Sequence, residues 1–423
     1  MQKSWNKMSK KLQPVRGTHD HLKDSMHRYN YIVSLAEEIC VRYGFEAMST
    51  PIFEFSEIFQ KTLGDTSDIV TKEMYTFTDK GNESITLRPE GTAGIIRAII
   101  SNGLTHQMPF KAFYNGPMFR YERPQKGRLR QFHQVGIELV GSKEELADIE
   151  VITCAKRLLT ELKIDDEITL NINSLGSTED RKKYIKDLIS YLKVYKNKLS
   201  SDSLKRFDKN PLRILDSKNE EDIQLLVNAP IITDYLNNDS KNNFNNILSI
   251  LKSLNIPYIE NPKLVRGLDY YNNTTFEFVS NNLGSQGAII AGGRYDGLMK
   301  QMGGPDLPGI GWAAGLERIN ILFNLNNVVP NNISIIPLGD DSLKYCIQIS
   351  EELRKEKIIV NMAFSGNIKK RLQNANKASS NYALIIGDNE LKNNIAIIKD
   401  LKKNDQKNIK LDQVINYIKK ISK

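Results

Sequence analysis

The sequence predicts an α+β fold spread over more than one domain, and three observations carry the prediction. Residues 131–139 set Phe132, Gln134, Gly136 and Glu138 against His133, Val135, Ile137 and Leu139. That is the two-residue period of a strand, in which Gly136 marks close approach by a ligand or another backbone, and a second strand precedes it across a basic turn. Residues 25–43 instead repeat Tyr29, Ile32, Val33, Ala36, Ile39 and Tyr43 at helical spacing. Beyond residue 332, short strands and helices alternate as in a small α/β domain. At 423 residues the chain exceeds one compact core and suits two or three domains.

In chain order, residues 1–13 read as a loose basic tail, and the helix at 25–43 stops at Gly44, a residue suited to a left-handed end. A short strand and Pro51 follow. Residues 64–78 read as a loop leading into a strand at 74–77. A strand at 84–87, a turn at 88–91 and a helix at 92–101 come next. Glu90 and Thr92 sit where turn meets helix, where a carboxylate and a hydroxyl either cap the helix or hold a ligand's ammonium group. Capping accounts for Thr92 better than for Glu90. The hairpin occupies 110–140 and a helix 143–162. Residues 174–262, rich in Asn, Lys and Asp, read as an inserted helical module with little visible chemistry.

Chemistry returns with Arg266, Gly267, Tyr270 and Tyr271 ahead of a strand at 274–279. A strand ending in Gly292-Gly293 is followed by Arg294 and Tyr295. Residues 309–315 form a strand of small side chains against which a ligand could lie. Glu317 and Arg318 then open a helix, as an anion site or a local ion pair. An Asn-rich linker at 324–332 precedes the last domain, with strands at 333–338, 358–363, 382–386 and 395–401 and helices between and after them. Its Lys369, Lys370 and Arg371 face RNA or simply solvent. No internal repeat is found.

The hairpin is the stretch with the most chemistry. Arg120 and Glu122 share a face of its first strand. The turn holds Pro124, Gln125, Lys126 and Gly127, and Arg128 and Arg130 follow. Cations beside an aromatic and two acids suit a phosphorylated, ring-containing ligand, or a solvated surface hairpin.

Composition bounds the rest. Hydrophobic residues at 40% and charged residues at 26% are ordinary for a folded soluble protein. A net charge of +9 favours an anionic partner, although the abundance of Lys, Asn and Ile accounts for part of it. Cys40, Cys154 and Cys346 lie far apart with no CxxC, which excludes a zinc ribbon or disulfide framework and points to a reduced, intracellular setting. No apolar run approaches the ~20 residues that span a bilayer, and the start of the chain lacks the apolar core of a signal peptide.

Five motifs together resemble the histidyl-tRNA synthetases of the bacterial type. They are RPEGT at 88–92, FRYERPQKGRLRQFHQVGIE at 119–138, VRGLDYY at 265–271, AGGRYDGL at 291–298 and GIGWAAGLERI at 309–319. RGTHD at 16–20 also fits. Pro51 resembles motif 1 of class II synthetases, the hairpin motif 2, and residues 309–322 motif 3. KMSKK at 7–11 resembles a loop of class I synthetases, but no nucleotide-binding βαβ unit precedes it, so it is set aside as chance.

The resemblance implies a six-stranded antiparallel class II sheet flanked by helices. Its catalytic core would occupy 1–173 and 263–325, with a helical insertion domain at 174–262, a linker at 326–332 and an anticodon-binding α/β domain at 333–423. It implies a cytoplasmic homodimer, with motif 1 at the interface and no membrane association. The reaction would join L-histidine to ATP as histidyl-adenylate, with magnesium on the pyrophosphate and no zinc, and then pass histidine to tRNA(His). Arg120 and Arg266 would serve catalysis at the α-phosphate. Glu122, Arg128, Phe132 and Arg318 would complete the ATP site. Glu90, Gly91, Thr92, Gln134, Glu138, Tyr270, Tyr271 and Tyr295 would join Arg120 and Arg266 around histidine, with Glu138 and Tyr271 on the imidazole. A buried acid and hydroxyl reject ligands lacking the matching atoms by roughly 10⁴–10⁵. Arg123, Gln125 and Lys126 would meet the tRNA acceptor end. The rival reading is a non-catalytic synthetase-like regulatory subunit of ATP phosphoribosyltransferase.

Overall fold

A computed structural model describes residues 12–64, 67, 69–323 and 332–421, the side chains of 285 and 286 apart. The KMSKK stretch and residues 324–331 of the expected linker lie outside the described residues. The chain divides into two compact units, 1–325 and 326–423.

In the first unit the described residues form an eight-stranded sheet. Its order is Glu46–Ala47, Phe110–Phe119, Gln131–Val140, Gly309–Gly315, Ala288–Arg294, Asn272–Ser280, Ile168–Ser174 and Tyr258–Glu260. The central six are antiparallel, as the resemblance implied. The two outer strands are short parallel additions at the edges. Their two and three residues are too few for an alternation to show.

One face of this sheet packs against two long helices. Phe113, Ile137, Trp312, Gly292 and Phe276 oppose one another in a row across five strands. Helices Asp24–Arg42 and Glu145–Glu161 contribute Ile32, Ala36, Ile39, Val151, Ile152 and Ala155, all fully buried. Each buried Val, Leu, Ile or Phe side chain is worth about 1.5–3 kcal/mol. Trp312 donates its indole N–H to the Val151 carbonyl at 3.0 Å, tying helix to sheet. The first helix ends as expected before Gly44, at φ 77°. At the far end of the sheet Arg294 forks onto buried Asp148 and also donates to the carbonyls of Ser142, Lys143 and Glu144.

Residues 64–78 differ from the expected loop. Ile69–Glu73 make one π-helical turn before the strand Tyr75–Thr78. A single turn leaves no repeat for periodicity to register. That strand, Phe53–Phe55 and Ser84–Leu87 form a small antiparallel sheet.

The segment 174–262 folds within the first unit. Its helices are Thr178–Val194, Ser201–Phe207, Glu220–Leu225 and Asn238–Ser253. The side chains of Ser177, Ser200, Asn219 and Asn237 cap their N-termini, so part of the segment's Ser and Asn content serves to start helices. Asp222 gathers the hydroxyls of Ser200, Ser203 and Ser217. The strand Tyr258–Glu260 then returns to the main sheet.

The second unit is a five-stranded sheet in the order Ile359–Met362, Asn332–Leu338, Tyr382–Gly387, Ile395–Asp400 and Gln406–Lys410. The first three strands are parallel. The last, Gln406–Lys410, was not expected: it is a mostly exposed polar edge without apolar alternation.

Candidate active site

The other face of the main sheet carries the site. Tyr114, Gly136, Ala313, Ala291 and Glu277 oppose one another across five strands, a row of small side chains between a phenol and an acid. Over this row lies a cavity of about 810 Å³. Its walls come from the hairpin, the turn at 88–92, the loop at 265–271, the start of helix Leu316–Leu322 and residues 200–219 of the helical segment.

One end is cationic. Arg120 lies with its guanidinium 5.2 Å from the centre of the Phe132 ring and donates to the Pro89 carbonyl at 2.9 Å. Arg128 pairs with Glu122 at 2.9 Å. Arg318 donates to the carbonyls of Gly127 at 3.2 Å and Ala288 at 2.6 Å. Burial pulls the Arg318 guanidinium below its ordinary pKa, and the positive charges of Arg128 and Arg120 pull it further. Cations held together against their repulsion suit an anionic ligand. On the neighbouring wall Arg266 pairs with Glu277, and its guanidinium lies 5.4 Å from the centre of the Tyr271 ring. Burial is the largest influence on the Arg266 pKa and lowers it, but Glu277, Tyr271 and Tyr270 together outweigh burial and the net shift is upward.

The other end is polar and deeply buried. The Tyr114 and Tyr270 hydroxyls and Gln134 Oε1 line the cavity without a well-aligned hydrogen bond among the described residues, although Thr92 lies close to both phenols and Glu138 to Tyr114. Buried polar atoms are nearly always paired, so three such groups around one cavity point to a ligand. Glu138 is 1% exposed and accepts hydrogen bonds from Thr92 Oγ1 and the Tyr295 hydroxyl, both at 2.6 Å. Burial pushes its carboxyl up to about 8.

Comparisons with known proteins match the chain to a family. The family model described as Histidyl-tRNA synthetase matches residues 17–319, and that described as Anticodon binding domain matches 332–421.

The chain belongs to the histidyl-tRNA synthetase family.

The Histidine--tRNA ligase of Gluconobacter oxydans is 47% identical over 398 residues, covering 94% of this chain and 96% of that protein. That of Rhodospirillum rubrum is 49% identical over 401 residues, covering 95% and 97%. The crystal structure of apo Staphylococcus aureus histidyl-tRNA synthetase superimposes with a TM-score of 0.78 at 32% identity, covering 97% of this chain and all of that one.

Among the residues expected from sequence, Glu90, Thr92, Arg120, Glu122, Arg128, Phe132, Gln134, Arg266, Tyr270, Tyr271 and Arg318 line one cavity. Glu138 and Tyr295 lie behind its wall, bonded to each other and, through Glu138, to Thr92. Gly91 is buried against the Tyr114 ring. Arg123, Gln125 and Lys126 are exposed at the hairpin turn, outside the cavity lining.

Several local expectations need correction. Glu90, not Thr92, caps the helix Thr92–Ser101: its carboxylate accepts the N–H groups of Thr92 at 2.6 Å and Ala93 at 2.9 Å. Thr92 spends its hydroxyl on Glu138 instead. Gly136 makes room for the Tyr114 ring rather than for a ligand, since a Cβ there would lie 2.4 Å from the phenol. Gly311 likewise clears space for Glu138, and Gly309 for Tyr295. Glu317 forms no pair with Arg318 among the described contacts. It accepts the His133 backbone N–H and lies 3.0 Å from His133 Nδ1.

Other residues escaped the sequence reading. Tyr114 had one clue, a glycine facing it in the partner strand. Glu277 had another, as an acid between the buried Phe276 and Phe278. His21, His133 and Glu317 bring potential ligand atoms within 4.8 Å of one another. Asp202, Arg213 and Lys218 of the helical segment reach the cavity from far along the chain. No local pattern announces contacts of that range.

Proposed function

We propose that the protein is a histidine–tRNA ligase, which activates L-histidine with ATP and then transfers histidine to the 3′-end of tRNA(His). One observation carries the reading. A single cavity sets Arg120, Arg128 and Arg318 at one end and, at the other, the Tyr114, Tyr270 and Gln134 groups that lack a well-aligned hydrogen bond. The first end suits a polyphosphate and the second a small polar amino acid.

Adenylate formation needs the histidine carboxylate aligned on the α-phosphate and the developing charge neutralised there. Arg120 and Arg266 are assigned to that charge from two walls. Arg318 takes the departing phosphates, and Phe132 stacks on adenine with Glu122 and Arg128 beside the nucleotide. Glu90, Thr92 and Gln134, with Gly91 beside them, receive the ammonium end, and Tyr270 and Tyr271 the imidazole end, backed from behind the wall by Glu138 and Tyr295. Magnesium comes in with the phosphates of ATP as part of the substrate. The cavity acids Glu122, Glu277 and Glu317 are already engaged by Arg128, Arg266 and His133, which supports a metal held mainly by the nucleotide. No zinc is assigned.

Arg123, Gln125 and Lys126, exposed at the hairpin turn, are assigned to the acceptor end of tRNA, and the second unit to the anticodon. Residues 174–262 act as the insertion domain. A homodimer is supported by Phe53, Phe55 and Phe77, which are 57%, 49% and 49% exposed on the small sheet. Phe55 and Phe77 both oppose Ile85, which puts them on one face with Phe53. Exposed apolar patches of this kind mark interaction surfaces. No described helix is long and apolar enough to cross a membrane. The cytoplasm is where ATP, histidine and tRNA meet.

The test is ATP–pyrophosphate exchange by the purified protein. Exchange that depends on histidine is expected. No exchange, or equal exchange with threonine or glycine, refutes the assignment. The regulatory-subunit reading is less supported, because the site arginines and the unit at 332–421 are all present.

A further inference from the structure

The loop between strands Tyr258–Glu260 and Asn272–Ser280 carries Arg266, Tyr270 and Tyr271 but has no regular structure of its own. Side chains from other elements hold it. Asn173 donates to the carbonyls of Pro262 and Leu264 near its start. Arg181, on the helix Thr178–Val194, donates to the Tyr271 carbonyl at its end. Between these, Asn210 Nδ2 donates to Asp269 Oδ1 at 2.7 Å.

Asp269 is boxed in. Gly64, at φ 82°, approaches so closely that a Cβ there would lie 2.2 Å from the Asp269 carboxylate. The Asp269 charge also acts on Arg181, offsetting part of the pKa drop that burial imposes on that guanidinium. Next to Asn210, Arg213 lies beside Gly267, 3.8 Å from where a Cβ would stand. The helical segment therefore touches the loop at 267, 269 and 271, on either side of Tyr270 and next to Arg266.

We propose that Asn210 is a positioning residue: through Asp269 it fixes the loop that aims Arg266 and Tyr271 into the cavity. The helical segment thereby sets the geometry of the activation step as well as walling the site. The inference rests on reading the cavity as the adenylate-forming site. A loop without a hydrogen-bond ladder holds reacting groups in register only where it is tied, and a misplacement of about 1 Å costs about 10²-fold in rate. The tie is charge-assisted, the stronger class of hydrogen bond.

The experiment is a swap. Asn210→Asp removes the donor and sets two carboxylates face to face. Adding Asp269→Asn restores the bond with donor and acceptor exchanged and keeps a negative charge near Arg181. Pyrophosphate exchange kinetics and amide hydrogen exchange over 264–271 are read on the full-length protein. Asn210→Asp is expected to lower kcat about tenfold or more and raise the histidine KM, with the ATP KM within about twofold. It should also quicken amide exchange in the loop, and the double variant should recover both readouts. Wild-type kcat and loop exchange in Asn210→Asp overturn the proposal. So does a double variant no better than the single, or an ATP KM that rises in step with that of histidine. If Asn210→Asp does not fold, Asn210→Ala takes its place, and normal loop exchange there overturns the proposal. A wild-type protein without histidine-dependent exchange refutes the reading of the cavity instead, and amide exchange still tests the tie.

Discussion

Replacing Glu138 by Gln should change how the stability of the first unit depends on pH. The carboxyl is held at about 8 by burial, against an ordinary 4.5. Between those values the folded protein keeps the proton and the unfolded chain releases it. Stability therefore falls as pH rises through that window, by about 1.4 kcal/mol per pH unit at most. Glutamine has the same shape and does not titrate. Its carbonyl still accepts from Thr92 and its amide still reaches the Tyr295 hydroxyl. From about pH 6 to about pH 8 the wild type should lose about 2–3 kcal/mol relative to Glu138→Gln. Urea unfolding followed by tryptophan fluorescence measures this, because Trp312 is buried in the strand paired with that of Glu138. Parallel curves for the two proteins would refute the reasoning, since they would mean that Glu138 is already ionised in the folded state. The same proton bears on the proposed ligand. Glu138 reaches the cavity through Thr92, whose hydroxyl it holds, so its charge is felt at the imidazole end without direct contact, and glutamine removes that titration.

Arg266→Ala should depress exchange turnover by about 10²-fold or more while leaving ATP affinity largely intact, as for a contact made in the transition state. Unchanged turnover removes Arg266 from the mechanism. Replacing Phe53 and Phe55 together by Ser should halve the mass read by light scattering; a wild type already monomeric refutes the dimer face.

How much of this was legible in the sequence depended on distance along the chain. The floor of the site was legible because alternation in one strand sorts Phe132 and Gln134 from Val135 and Ile137 without outside help. The helix start at Thr92 was legible, but the roles of Glu90 and Thr92 were exchanged. Which of two neighbouring oxygens turns back onto the helix depends on Glu138, which lies 46 residues away. Gly136 correctly announced a close approach, yet the body approaching it was Tyr114, and register alone identifies that partner. The wall supplied by 200–219 was not legible, because Ser, Arg and Asp in a polar segment read the same whether they face solvent or a cavity.

The Tyr114 ring has a consequence for how such a site tolerates change. It is wedged between Gly91 and Gly136, and a Cβ at either would lie within 2.2–2.4 Å of it. The three positions are thus one steric unit. No side chain can be gained at 91 or 136 while the tyrosine stands; removing the ring opens a void that Gly91 could then grow to fill, whereas a Cβ at 136 would still lie 2.7 Å from the Trp312 carbonyl. Substitutions here are accessible only in one order, large to small at 114 first, so that the pocket floor is locked against stepwise drift.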